Sequence, residues 1–154
     1  MSIVSIIPAR GGSKGIPNKN IKILNGKPLL GYTIEQSLLS KVVDRTIVST
    51  NDKQIAEVAN DFGAEVPFLR PSLLSGDDVP DYPVIKHALN FLMEDSQDDP
   101  KILLYLRPTQ PTRKVEDIDT VVHMLLEDKN ADSVLTTRPA PYSPYWVKLI
   151  NSKG

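Results

Sequence analysis

Three glycines and three basic side chains share the ten residues from Arg10 to Lys19, inside the stretch S-I-I-P-A-R-G-G-S-K-G-I-P-N-K-N that runs from Ser5 to Asn20. Gly11, Gly12 and Gly15 let backbone N–H groups come close to an anion, and Arg10, Lys14 and Lys19 bring positive charge to it. The chemistry this composition supports is the wrapping of a triphosphate; a solvated basic turn between strand and helix is the bland alternative. Two better-known phosphate loops do not fit. A P-loop needs four residues between its glycines and then Lys-Ser/Thr, whereas Gly11 and Gly15 have three residues between them and Ile16 and Pro17 follow. A dinucleotide fingerprint leads straight into a helix, whereas Pro17, Asn18, Lys19 and Asn20 prolong the loop.

The elements that must hold this loop follow from periodicity. An apolar strand is predicted over Ile3–Ile7 and a helix from about Pro28 to Leu39, with proline in its first turn. A strand over Arg45–Ser49 hands over to Asn51 and Asp52, which cap a helix whose Ile55, Val58, Ala59 and Phe62 share a face and which Gly63 ends. Glu65–Leu69 reads as a third strand, Val84 to Met93 as a helix, Ile102–Leu106 as a strand, Val115–Leu126 as a helix and Ser133–Thr137 as a fifth strand. This βαβαβαβαβ order predicts an α/β fold: a mainly parallel sheet, helices on both faces in three layers, and ligands beyond the carboxyl ends of the strands.

Composition narrows the classes further. The 154 residues suit one domain. Eighteen basic and nineteen acidic residues leave a net charge of −1, so no global field draws the chain to nucleic acid or an anionic membrane. Without cysteine there is no disulfide, thiolate metal site or cysteine nucleophile, in keeping with the cytoplasm. No signal peptide, membrane-length apolar run or internal repeat is evident, and the thirteen prolines gather in loops.

Ala9, Arg10, Ser13, Lys14, Gly15, Ile16, Lys19 and Asn20 occupy every fixed position of A-R-x-x-S-K-G-[IL]-x-x-K-N. In this the chain resembles the acylneuraminate cytidylyltransferases, the CMP-sialic acid synthetase family. Ser49 to Asp52 resemble its S-T-[ND]-D, although a helix cap explains that pair by itself. Arg70 and Pro71 open a segment resembling R-P-x-x-L-x-x-D, which implies nucleotide contact for Arg70; a salt bridge to Asp77, Asp78 or Asp81 is the competing assignment. Val84, His87, Ala88 and Leu89 match V-x-x-H-A-L, with His87 read as structural. Pro108, Thr109, Pro111 and Arg113 match L-L-Q-P-T-S-P-x-R, but Arg107 stands in place of its glutamine and Gln110 in place of its serine. A neutral amide has become a permanent cation, which signals a different sugar or base preference.

The resemblance implies a Rossmann-like nucleotidyltransferase fold and transfer of CMP from CTP to a 2-keto-3-deoxy sugar acid, with pyrophosphate released. Arg10 and Lys19 become the catalytic cations, with Ala9, Gly11, Gly12, Ser13, Lys14, Gly15, Asn20, Arg70 and Arg107 binding nucleotide and Thr109 and Gln110 binding the sugar. It implies magnesium, whose acidic ligands lie in the family's additional carboxyl-terminal segment. Asp77, Asp78 and Asp81 read as a solvated acidic loop. It also implies a homodimer; the Pro- and aromatic-rich segment from Pro139 to Ile150 either packs on its own sheet or begins the family's dimerisation and sugar-binding arm. A non-catalytic nucleotide-binding module or inactive fragment is the alternative. A transferase acting on neutral sugar phosphates fits less well, since its loops read L-A-A-G-x-G-x-R.

Overall fold

The computed structural model describes residues 2–94, 99–137 and 139 of the chain. Strand β1 (Ile3–Pro8) leads into a long loop, a hairpin of β2 (Ile23–Leu24) and β3 (Lys27–Pro28), and helix α1 (Leu29–Leu39). There follow β4 (Arg45–Ser49), α2 (Lys53–Asp61), α3 (Asp81–Glu94), β5 (Ile102–Tyr105) and α4 (Val115–Glu127).

Alternate side chains of β1 serve opposite faces of the sheet. Ile7 packs with Leu30 and Ile34 of α1, Ile55 of α2 and Ile118 of α4. Val4 and Ile6 instead meet Ala88 and Leu92 of α3. The result is a three-layer α/β/α arrangement, as the alternation of elements predicts. Ser5, on the α1 side, avoids being a buried polar orphan: its hydroxyl lies 2.6 Å from that of Ser37, which lies 2.7 Å from that of Thr46.

The main sheet has the order β4-β1-β5, all parallel. Ile6 stands opposite Ile47 on one side and Tyr105 on the other. The chain therefore leaves β1 towards β4 on one flank and later returns to β5 on the other flank. Such a reversal opens a crevice at the carboxyl end of the central strand, where the polypeptide emerging from β1 is the glycine-rich loop.

Helix α2 is closed at both ends as its sequence predicts. The Asp52 carboxylate accepts from the N–H groups of Gln54 (2.8 Å) and Ile55 (3.1 Å), and Gly63 and Ala64 donate back to the carbonyls of Asn60 and Ala59. The hairpin is built on Asn25 and Gly26, whose φ values of 48° and 83° suit a primed two-residue turn. No helix among the described residues is long and apolar enough to cross a membrane.

Two expected strands are corrected. Glu65–Leu69 makes only single parallel bridges, Glu65 to Ile47 of β4 and Leu69 to Thr50 just past it. Pro67 lies between them and has no N–H to give to a ladder. Ser133–Thr137 forms no strand either, and Leu135 is 83% exposed. Ser133 and Val134 share a cavity with Ile102–Leu104 on the open edge of β5 but form no ladder with it, and without those hydrogen bonds strand propensity is not expressed.

Helices α1 and α2 approach closely where Gly31 faces Phe62: a β-carbon on Gly31 would sit 2.6 Å from a ring carbon. Gly31→Ala is expected to lower stability by about 1–2 kcal/mol, because overpacking outweighs the ~1 kcal/mol that alanine gains in a helix. An unchanged or higher urea-denaturation midpoint would contradict this packing.

Candidate functional site

The loop leaving β1 is held by hydrogen bonds rather than by secondary structure. Ala9 is fully buried and gives its N–H to the Ser49 carbonyl (2.9 Å), extending the β1–β4 pairing by one rung. Gly11 gives its N–H to Asn51 Oδ1 (2.9 Å). Its missing side chain is required here, because a β-carbon would lie 2.8 Å from Asp52 Oδ2. Asn20, 5% exposed, reaches back across the loop and donates from Nδ2 to the Arg10 carbonyl (2.9 Å). The loop thus has three fixed points, and the one at Asn51 shows that the Ser49–Asp52 segment does more than cap a helix.

Beyond these tethers lies a cavity of about 220 Å³. Arg10, Ser13, Lys19 and Asn20 line it from the loop, Arg70 and Asp77 from the segment before α3, Asp81 from the start of α3, and Tyr105, Arg107 and Thr109 from the end of β5 and beyond. Of the other sequence-predicted residues, Ala9 and Gly11 serve the loop's anchorage, while Gly12, Lys14 and Gly15 lie outside the lining. Gln110 also lies outside it; its side-chain oxygen accepts from Arg113 Nη2 (3.0 Å).

Arg113 is the clasp of this second loop. Half withdrawn from water, which lowers its pKa, it also donates to the Arg107 carbonyl (3.1 Å) and to Gln36 Oε1 (3.1 Å). Gln36 in turn donates from Nε2 to the carbonyls of Pro111 (2.7 Å) and Arg113 (2.9 Å). The 107–113 segment is therefore pinned to α1, and Arg107 projects from a fixed base.

The charges pair selectively. Asp77 is shared by Arg10 and by Lys14, the latter at 2.6 Å. Asp81 is ion-paired with Arg107 and accepts from the Tyr105 hydroxyl at 2.9 Å. Burial, reinforced by that bond to Asp81, pushes the Tyr105 phenol above its ordinary value, so it stays a hydrogen-bond donor. Lys19 has no ion-pair partner among the described residues.

Arg70 differs from every other cation in the site. It is 5% exposed, and its Nε and one Nη are buried with no hydrogen-bond partner. Burial lowers its pKa, yet an arginine stays charged. None of Asp77, Asp78 or Asp81 takes up the salt bridge that the sequence allowed. Its backbone N–H is tied to the Thr50 carbonyl at 2.7 Å, so the side chain is presented from a fixed point beside β4. His87, half-buried on α3 with its ring edge-on to Phe68 at 4.8 Å, has its pKa lowered by burial and then by Arg70, in keeping with a neutral structural role.

Among the described residues no three acidic or histidine side chains converge as a cation cage. Asp77 and Asp81 are already engaged with cations, so the residues present do not form a preassembled magnesium site. Sequence reasoning missed Tyr105 as a site residue and treated Asp77 and Asp81 as solvated. The available signal was positional: Tyr105 ends a strand beside β1, and Asp81 starts a helix.

Comparison with known proteins adds to this geometry. The sequence model of a family described as cytidylyltransferase matches residues 4–149. A CMP-N,N'-diacetyllegionaminic acid synthase of Legionella pneumophila is 39% identical over the whole of this chain and 65% of its own length. A pseudaminic acid cytidylyltransferase of Campylobacter jejuni is 44% identical over 63% of this chain and 42% of its own, and an N-acylneuraminate cytidylyltransferase of Escherichia coli 42% identical over 72% and 25%. The chain thus spans less than two thirds of each of these relatives. Among solved structures, a CMP:2-keto-3-deoxy-manno-octonic acid synthetase complexed with CTP superposes with a TM-score of 0.70 at 21% identity, covering 83% of this chain and 48% of that one, a likeness of fold.

The tether at Asn51 is testable without any ligand. Asn51→Ala leaves the Gly11 N–H without its acceptor, and loss of a bond worth about 1 kcal/mol is expected to speed amide exchange at Gly11 by roughly five- to tenfold while β1 amides keep their protection. Unchanged exchange at Gly11 would show that the loop is held by something else.

Proposed function

The chain belongs to the cytidylyltransferase family, and from that premise we propose that its cavity binds CTP and transfers CMP to a 2-keto-3-deoxy sugar acid of the sialic acid type. The observation that carries this reading is Arg70. A guanidinium withdrawn from water without a counter-ion costs several kcal/mol, and a polar, anionic ligand entering the same cavity would offset that cost.

In the proposed reaction the anomeric hydroxyl of the sugar acid attacks the α-phosphorus of CTP. A new phosphorus–oxygen bond forms, the bond to the β-phosphate oxygen breaks, the hydroxyl proton is lost to the surroundings and pyrophosphate departs. Negative charge grows on the departing phosphates, so positioning and cationic stabilisation supply most of the catalysis. Arg10 and Lys19, on the loop at the switch point, are the groups placed to supply it, with Ser13 beside them. Asn20 holds Arg10 in position through its backbone carbonyl. Arg107 and Thr109, on the opposite strand end, are assigned to the region where nucleotide and sugar meet. Any magnesium would arrive on the triphosphate, which keeps much of the ion's hydration, rather than in a cage of described residues. For the whole protein we place the reaction in the cytoplasm and, where the full family architecture is present, in a homodimer. The segment that would bear on the dimer, from residue 140 onward, lies outside the described residues.

Two measurements test this. Calorimetric titration with CTP is expected to show binding, weakened at least tenfold in Lys19→Ala and by about ten- to a hundredfold in Arg70→Lys, since lysine keeps the charge but loses the planar fork. Wild-type affinity in Arg70→Lys would remove the observation on which the reading rests. Pyrophosphate release from CTP, N-acetylneuraminate or a related sugar acid, and magnesium tests the transfer itself; binding without release across such acids would leave a nucleotide-binding module instead.

A further inference from the structure

The segment that delivers Arg70 to the cavity also delivers a competitor for the cavity's other cations. Seven residues after Arg70, the Asp77 carboxylate is fully engaged: one oxygen is ion-paired with Arg10 and the other lies 2.6 Å from Lys14 Nζ. Lys14 first, then Arg10, hold its carboxyl below the usual carboxylate range, so it is ionised at neutral pH. Asp78, the next residue, is another exposed aspartate but makes no ion pair among the described residues. One carboxylate of two neighbouring ones has therefore taken the two loop cations, while Lys19, on the same loop, is left without one.

We propose that Asp77 is a specificity-determining residue: it occupies the loop's cationic site as an internal anion, so that only a ligand carrying more negative charge than a carboxylate or a phosphate monoester displaces it. The inference rests on the reading that the loop receives a triphosphate. The contacts are suited to exchange rather than to permanent structure. The Lys14 side chain is 83% exposed, and those of Arg10 and Asp77 are 31% and 29% exposed, so water and salt screen both pairs and neither is strongly held. A triphosphate brings several charges and many acceptor oxygens. It can replace Asp77 on Arg10 and Lys14 and reach Lys19 in the same step. A monophosphate must pay the same displacement for fewer new contacts. Asp77 thus sets a threshold of charge at the mouth of the site.

The test uses inorganic tripolyphosphate, CTP and CMP as probes, titrated calorimetrically in chelator so that no divalent cation links the carboxylate to the phosphates. In Asp77→Asn, tripolyphosphate is expected to bind roughly three- to tenfold more tightly at low salt, CMP is expected to gain more in proportion, and the gain is expected to shrink as ionic strength rises. The discrimination between tripolyphosphate and CMP therefore narrows. Asp78→Asn removes the same formal charge without touching Arg10 or Lys14 and is expected to leave affinities within about twofold. Asp77→Ser provides a second variant should the asparagine form fold poorly. Unchanged or weaker tripolyphosphate binding in the Asp77 variants, an equal gain in Asp78→Asn, or no tripolyphosphate binding by any form would overturn the proposal. The two readings fail separately: if CTP shows no preference over tripolyphosphate while the Asp77 pattern holds, the cytidine assignment falls and the charge threshold stands.

Discussion

Withdrawing an arginine from water without giving it a carboxylate is among the more expensive arrangements a fold can hold, and this one holds Arg70 that way. The nearby acids do not relieve it. Asp77 is committed to Arg10 and Lys14, and Asp81 to Arg107 and Tyr105. The backbone of Arg70 is fixed by the Thr50 carbonyl, so the side chain is not free to swing to the surface by a shift of the chain. On the proposed reading an anionic or richly polar ligand in the adjoining cavity would resolve the imbalance, and the charged side chains described above line that cavity.

That arrangement comes from the sheet. Because β1 lies between β4 and β5, the loops leaving β1 and β5 meet at the cavity, and the segment between α2 and α3, tied through the Arg70 N–H to Thr50 just past β4, supplies its third side. Two of these segments are fixed by side chains: Asn51 and the loop's own Asn20 hold the one after β1, and Gln36 with Arg113 holds the one after β5. Charge does not do this work. The ion pairs in the site are at least partly exposed and weak, whereas the tethers are directional amide and guanidinium hydrogen bonds, most of them with a backbone group as one partner. Rigidity resides in the hydrogen-bonded tethers and exchangeability in the ion pairs.

Much of this was legible in the sequence because the governing signals are local. The alternation of apolar residues in Ile3–Ile7, the Asp52 cap and the Gly63 stop each act within a few residues, and the structure reproduces them. The strands expected over Glu65–Leu69 and Ser133–Thr137 do not form for a shared reason: strand formation depends on a ladder with a partner, and a local pattern does not reveal that Pro67 interrupts one ladder or that Ser133–Thr137 makes none with the open edge of β5. In the site, cationic residues were found from their motif, but their pairing was not. Nothing in the order of residues says that Asp77 goes to Arg10 and Lys14 instead of Arg70, or that Gln110 accepts from Arg113. Those choices are made across separations of three to sixty-seven residues by the packing of strand ends.

The most direct measurement of the central claim is a crystal structure of the chain soaked with CTP. The account predicts nucleotide in the cavity at the carboxyl end of β1, with Arg70 Nε or Nη within hydrogen-bond distance of a ligand oxygen and Arg10 and Lys19 on the phosphates. An empty cavity at saturating CTP, or a nucleotide bound elsewhere while Arg70 keeps no partner, would contradict it.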